Sequence, residues 1–267
     1  MLIDVHAHFY TERSGRTDWQ SVNQARLDAG RRIGITGHVA SILGSWGAHS
    51  PVYFPSQQDV THANDCMVAM IRDHREVHGY CLVNPNYMDH ALAEIEHRLE
   101  QGMIGIKLAA SRRANDKLLD PIAAVAGERG VPILHHVWHH RRRDWPGQEA
   151  SDASELAALA RRHPATDFIM AHLGGGGDWA HSLRVLREAP NIWVDLSGSG
   201  VDVDMLEAAV RQVGPARLLW GADVTLDTAW AKLRYLAATG LDSDDLDLIR
   251  YGNAFQIFPV GVFRDGD

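Results

Sequence analysis

Cysteine is scarce in this chain: two in 267 residues, Cys66 and Cys81. Two thiols build no disulfide framework, so the fold must be held by a packed core, and reduced thiols are the simplest reading. Long apolar runs are missing too, and no stretch approaches the roughly 20 residues that span a bilayer. Positive charge is in deficit, with 26 Lys and Arg against 34 Asp and Glu and a formal net charge of −8. That balance argues against nucleic acid or an anionic membrane as the main partner. Low-complexity segments and shifts in composition are absent, so nothing marks a second domain. The chain opens on an apolar strand and not on a charged leader followed by an apolar signal segment, which sets the expectation of a cytoplasmic protein. A hydrophobic content of 45% over this length suffices for one large domain covering residues 1–267.

Histidine, by contrast, is abundant, with 16 residues, and part of it is ordered. Met1 to His8 reads as a short apolar strand ending in His-x-His. Residues two apart on a strand share a face, so His6 and His8 aim the same way and form a chelating pair for a divalent metal such as zinc. Apolar segments near 2–7, 35–43, 78–84, 103–109, 131–137, 167–173, 191–197 and 218–224 read as eight strands. Helical patterns separate them. Met88, Leu92, Ile95 and Leu99 share one helical face before Gly102, and Ser154 to Arg162 carries Leu156, Ala157, Leu159 and Ala160 as its apolar side. Strand then helix, eight times, predicts a (β/α)8 barrel of the TIM type, with a doubly wound open sheet as the alternative and residues 244–258 as a closing helix.

Catalytic residues of such barrels sit at the C-terminal ends of the strands. Here those ends supply His6 and His8 on strand one, Lys107 on strand four, His135 and His136 on strand five, His172 on strand six and Asp223 on strand eight. On strand four, Ile104, Ile106 and Leu108 are expected to face the helices and Lys107 the interior. A lone inward lysine needs a partner, a depressed pKa or a chemical modification. Random placement would rarely produce this set in these places.

At these residues the chain resembles the amidohydrolase superfamily, and most closely its amidohydrolase family 2 branch. The matching stretches are D-V-H-A-H-F at 4–9, G-I-K-L at 105–108, V-P-I-L-H-H at 131–136, F-I-M-A-H-L-G-G at 168–175, N-I-W-V-D-L-S-G at 191–198, R-L-L-W-G-A-D at 217–223 and Gly252-Asn253-Ala254. The resemblance implies a barrel holding one or two divalent metals, with zinc the default and manganese, iron or cobalt accepting similar ligands. By position, His6, His8, His136 and Asp223 are implied metal ligands, and His172 a second-metal ligand or a group that polarises the substrate. The spacing after Pro132 favours His136, and a slip of one residue selects His135. Lys107 is implied either as a carboxylated, metal-bridging residue or as an unmodified one facing substrate. The sequence departs from the family pattern at Ala109 and at Val224-Thr225, both near the substrate.

Asp195 is expected to point inward on strand seven, where it either orients a ligand histidine or serves as a structural hydrogen-bonding group. The four glycines at 174–177 either admit an anion at the following helix or let the backbone pass close to the metal site. The loops after strands four and five gather Arg112, Arg113, Arg141, Arg142 and Arg143 beside Trp138, His139 and His140. Forked arginine donors suit carboxylates and phosphates, so Arg112, Arg141, Lys107 and Trp138 are candidate contacts to an anionic small-molecule substrate, with a solvated loop or a subunit contact as the alternative for the arginines. Segments 9–20 and 44–58 hold Phe9, Tyr10, Trp19, Trp46, Tyr53 and Phe54, fitted to a pocket wall or to a homodimer contact.

The expected reaction is hydrolysis of an amide, lactone or ester bond. The metal lowers the pKa of bound water toward about 7, Asp223 acts as general base and acid, and His172 or Lys107 polarises the carbonyl. Non-oxidative decarboxylation of an aromatic or muconate-type acid is the alternative. A phosphoesterase or nuclease is disfavoured by Lys107, where such barrels carry glutamate, and by the negative charge. A metal-binding barrel without catalysis completes the set.

Overall fold

The computed structural model describes residues 1–138, 147–200 and 202–263. The expectations placed on His139, His140, Arg141, Arg142 and Arg143 fall outside them. Eight parallel strands follow one another in sequence order: β1 (Ile3–His8), β2 (Gly37–Ser41), β3 (Val77–Val83), β4 (Gly105–Leu108), β5 (Ile133–His135), β6 (Phe168–Met170), β7 (Ile192–Asp195) and β8 (Leu218–Leu219). Strand β8 returns to β1 through Val5 N–H to the Trp220 carbonyl (3.1 Å) and Asp223 N–H to the His6 carbonyl (2.5 Å), which nearly closes a barrel and excludes the open sheet.

The helices on the outside are α1 (Trp19–Ile33), α2 (Gln57–Asp73), α3 (Met88–Glu100), α4 (Asp120–Arg129), α5 (Ala153–Arg162), α6 (Trp179–Leu186), α7 (Met205–Val213) and α8 (Leu226–Ala238). Their starts follow capping chemistry. Asp152 and Glu155 form a reciprocal capping box at α5, and Ser56 caps α2 through the Asp59 amide. No helix of the described residues is long and apolar enough to cross a membrane.

The core has two layers. Ile106, Leu108, Ile133, Ile192 and Val194 join the helices in the outer one, while Val5, Val39, Tyr80, Leu134, Ile169 and Leu219 fill the inner one. Ile104 was expected to face the helices, but it precedes β4 and belongs to the inner cluster. Six strands, β2 and β4 to β8, are shorter than their apolar runs, and β5, β6 and β8 are shortened most. Beyond β8, the Trp220 amide donates to the Ile249 carbonyl and not to another strand.

Strand β1 contains an irregularity that the sequence does not display. Ile3 and Val5 lie in the inner cluster, so strict alternation would send Ala7 inward and His6 and His8 outward. The register with β2 shifts between Asp4 and Ala7. After the shift Ala7 and Phe9 pack outward, and both histidines point into the barrel mouth. Bulges of this kind are frequent next to active sites because they re-aim side chains.

The closing segment at 244–258 is not one helix. It runs as α9 (Ser243–Asp247), a π turn (Leu248–Gly252) and α10 (Asn253–Ile257). Buried Asn253 ties it to the barrel by donating to the carbonyls of Pro215 (2.8 Å) and Leu218 (2.7 Å). Asn253→Ala removes both bonds, including the one to the buried Leu218 carbonyl, and we expect a loss of about 1–3 kcal/mol. Urea unfolding checks this: the midpoint falls with the slope unchanged.

Candidate metal centre

The imidazoles of His6 and His8 meet at the mouth of β1 with their Nε2 atoms 3.1 Å apart. Asp223 Oδ1 faces both, at 3.3 Å from His8 Nε2 and 4.0 Å from His6 Nε2. The other ring nitrogen of each histidine is committed elsewhere. His6 Nδ1 lies 2.7 Å from Asp195 Oδ2, and His8 Nδ1 lies 3.1 Å from the Ser41 carbonyl. With Nδ1–H donating outward, each Nε2 presents its lone pair to the centre. This is the tautomer a metal requires, held by outer partners. Burial pushes the His6 pKa well below its usual value, with Lys107 adding to the effect and Asp223 opposing it. Burial opposes ionisation of Asp223, but His6 and His8 outweigh it and hold the carboxyl well below the usual range. Two imidazole nitrogens and one carboxylate oxygen, close together and largely buried, fit a divalent cation.

Around this trio lie the remaining strand-end residues. His172 Nε2 is 3.1 Å from His136 Nδ1, and the His172 ring stacks on that of His6 with centroids 5.9 Å apart. His136 lines the cavity together with His8, His172 and Asp223; His135 does not, and its Nδ1 bonds the His136 carbonyl. His135 Nε2 and His136 Nε2 are both buried without a hydrogen-bond partner among the described residues, so it is the cavity lining that singles out His136 as the candidate ligand. Lys107 is fully buried behind His6, with Nζ 3.0 Å from His6 Nε2, and is not among the cavity-lining residues. Burial lowers its pKa to about 8, against the opposing pull of Asp223 and Asp195.

The cavity over the centre has a volume of about 220 Å³ and is walled by Leu43, Trp46, Tyr53, Trp138 and Val224. A larger depression of about 670 Å³ lies at the N-terminal side of the barrel, near Met1, Arg75 and Phe263, and contains none of the strand-end residues. Barrels of this type place their chemistry at the C-terminal face, so the smaller cavity is the functional one. Arg112 is not brought there. It bonds Asn86 (2.5 Å) and Asp116 (3.5 Å) in a separate depression, and Arg113 pairs with Glu149 (3.3 Å). Both arginines are engaged by neighbouring acceptors and are held away from the histidines.

Backbone strain gathers at this end. His172 (φ 40°), Asp223 (φ 54°), Trp46 (φ 50°) and Ala110 (φ 60°) all adopt the left-handed region without being glycine. Such residues cost about 1–3 kcal/mol each and persist where the surroundings over-determine them.

Several contributors carried no signal strong enough to be assigned from sequence. Asp4 stands in the D-V-H-A-H stretch yet faces away from the centre. Its carboxylate accepts from Arg26 (2.8 Å), the Ala222 amide (2.9 Å) and the His6 amide (3.2 Å), and sits 3.2 Å from His38 Nδ1. Arg26 also donates to the Asp223 carbonyl at 2.7 Å, so one ion pair braces β1 and the Asp223 turn together. The glycine run 174–177 serves close approach: a Cβ on Gly175 would stand 2.5 Å from His172 Nδ1. Gly221 has the same purpose, since a Cβ there would lie 2.3 Å from Asp195 Oδ1 and 3.0 Å from the His6 Cβ.

The amidohydrolase family model (its second amidohydrolase family) matches residues 3–260, and the chain belongs to that family. No curated protein sequence matches it. Among solved structures it is similar to 2,6-dihydroxybenzoate decarboxylase from Rhizobium, at 16% identity over 96% of this chain and 98% of that one, with a TM-score of 0.72. A dihydroxybenzoic acid decarboxylase from Polaromonas with bound manganese shares 17% identity over 96% of both chains, TM-score 0.68. The 4-oxalomesaconate hydratase from Rhodopseudomonas palustris shares 15% over 97% of this chain and 96% of that one, TM-score 0.71. Likeness at this identity establishes the shared barrel, and the family match makes the chain an enzyme of the metal-dependent amidohydrolase class.

Gly221→Ala tests the outer partner of the centre. The added methyl pushes Asp195 off His6, and the expected result is divalent-metal affinity weaker by about 10–100-fold. Titration of the metal-free protein reads it, with circular dichroism unchanged.

Proposed function

We propose that the protein is a metal-dependent hydrolase acting on an amide, lactone or ester bond of a small anionic substrate. The observation that carries this reading is the convergence of His6 Nε2 and His8 Nε2 on Asp223 Oδ1, with both Nδ1 atoms locked from behind. His6, His8 and Asp223 would hold the metal, with His136 and His172 beside them for a fuller shell or a second ion. When bound, the metal supplies Lewis-acid activation of water and of the attacked carbonyl. Zinc suits the donor set, and manganese, iron and cobalt suit it too.

The remaining steps belong to the chain. Asp223, ionised and at the cavity floor, accepts a proton from the attacking water and returns it to the leaving group. His172 presents its ring to the developing oxyanion. Trp46, Tyr53 and Trp138 hold the apolar body of the substrate and exclude bulk water. Lys107 adds positive charge behind His6, which favours a substrate bearing a carboxylate. In its unmodified form it also occupies the His6 lone pair. A second ion at the barrel mouth itself, dependent on bicarbonate, would assign a carboxylated Lys107; a single ion there would assign an unmodified lysine that yields that lone pair to the ion.

A second reading is non-oxidative decarboxylation of an aromatic acid. The aromatic wall of Trp46, Tyr53 and Trp138 favours it, as do the activities named for the Rhizobium and Polaromonas neighbours. The two reactions differ in products: hydrolysis places an oxygen from labelled water in the product acid, and decarboxylation releases carbon dioxide.

Asp223→Asn keeps the shape of the side chain but removes the base. We expect part of the metal to be retained and turnover to fall by about 10²–10⁴-fold. Steady-state kinetics on the substrate found by a panel of esters, lactones, amides and aromatic acids reads the loss, and near-native turnover would remove Asp223 from the role.

A further inference from the structure

A second cluster of metal-ligating side chains lies outside the barrel mouth. His62 and Cys66 are one helical turn apart on α2, with Cys66 Sγ 3.6 Å from His62 Nε2. Glu12, in the 3-10 turn that follows β1 (Glu12–Ser14), brings Oε1 to 2.9 Å from the same His62 Nε2. The three donor atoms all lie within 4.8 Å of one another. On a tetrahedral zinc, with Zn–S of about 2.3 Å and Zn–N of about 2.0 Å, neighbouring S and N atoms fall about 3.5 Å apart and N and O about 3.3 Å. The measured spacings lie within a few tenths of an ångström of both.

Preorganisation and charge point the same way. Arg13 pairs with Asp59 of α2 at 3.3 Å, which fastens the turn carrying Glu12 onto the helix carrying His62 and Cys66. Glu12 and Asp65 make the surroundings of the thiol negative. Burial, helped by those two carboxylates and opposed by Arg13, pushes the thiol pKa up to about 11, so the free thiol is a poor nucleophile and a bound cation displaces its proton to solvent. Glu12 and His62 both retain solvent exposure, so an ion reaches the site without opening the fold.

We propose that Glu12, His62 and Cys66 form a peripheral site for a soft or borderline divalent cation, zinc foremost, with water as the fourth ligand. It is separate from the His6–His8–Asp223 centre and does not rest on the reaction assigned there. An ion bound at this site ties the turn after β1 to α2. Tyr10 of the same segment packs on Trp46 (centroids 4.7 Å), and Trp46 packs on His8 (5.5 Å). Occupancy therefore stiffens one wall of the cavity.

Cobalt(II) separates the two sites, because thiolate ligation gives an intense near-ultraviolet charge-transfer band and the barrel-mouth centre offers no cysteine. The experiment is a cobalt titration of the holoenzyme and of Cys66→Ser and His62→Gln variants. The expected result is a band that saturates with one cobalt per chain, is lost in Cys66→Ser and is weakened at least tenfold in His62→Gln, with the far-ultraviolet spectrum of each variant unchanged. No band up to millimolar cobalt overturns the site, and so does a band of equal strength in Cys66→Ser. Should Cys66→Ser fail to fold, His62→Gln alone decides between a weakened band and an unchanged one.

Discussion

A carboxylate taken entirely out of water governs the catalytic end of this barrel. Asp195 is fully buried, and burial raises its pKa even though Ser197 and the His172 amide favour the charged form. An uncompensated charge in that position would cost several kcal/mol. Its partners set the shape of the site. Oδ2 meets His6 Nδ1 (2.7 Å), the Ser197 hydroxyl (2.5 Å) and the His172 amide (3.0 Å), while Oδ1 takes the Ser197 amide (2.8 Å). One group therefore fixes the tautomer of His6, the strained turn at His172 and the start of the loop after β7. Gly221, two residues beyond β8, leaves the space in which this can happen, so the small residue in L-W-G-A-D and the acid in V-D-L-S-G are two halves of one requirement.

The eight-unit repeat was legible because period-2 and period-3.6 patterns alternate along the whole chain, and parallel strands joined by helices close in sequence order. His6, His8, His172 and Asp223 were legible for the same reason: each ends an apolar run, and strand ends converge in a barrel. Selecting His136 over His135 followed from spacing, and the structure sets His136 on the cavity. What stayed hidden depends on three-dimensional packing. The register shift in β1 has no marker in I-D-V-H-A-H, although it alone reconciles an inward Val5 with inward histidines. Asp4 reads as one acid among many until Arg26, His38 and the Ala222 amide surround it. Arg112 read as a candidate substrate contact because a sequence does not reveal that Asn86 and Asp116 take its donors. Cys66 and His62, four apart on a helix, carry no meaning until the turn after β1 brings Glu12 beside them.

The neighbours of this chain share its barrel at 15–17% identity while their names span decarboxylation and hydration. Such divergence is what a barrel permits when the metal-facing residues come from strand ends and the substrate-facing ones from loops. Here the loop positions are where the sequence leaves the family pattern, at Ala109 and Val224-Thr225. Val224 lines the cavity directly, and its aliphatic side chain narrows the space above Asp223. The candidate metal-facing residues thus come from the strand ends, and of the departing positions Val224 lines the cavity while Ala109 is buried in the core.

The central claim is that His6, His8 and Asp223 form a metal centre whose geometry Asp195 sets from behind. Anomalous diffraction at the zinc and manganese edges, from crystals of protein purified without chelators and then soaked in each metal, tests it most directly. The account predicts an anomalous peak within bonding distance of His6 Nε2, His8 Nε2 and an Asp223 carboxylate oxygen, with Asp195 still bonded to His6 Nδ1. No peak among these atoms at saturating metal, or a peak bound by His6 through Nδ1, would contradict it.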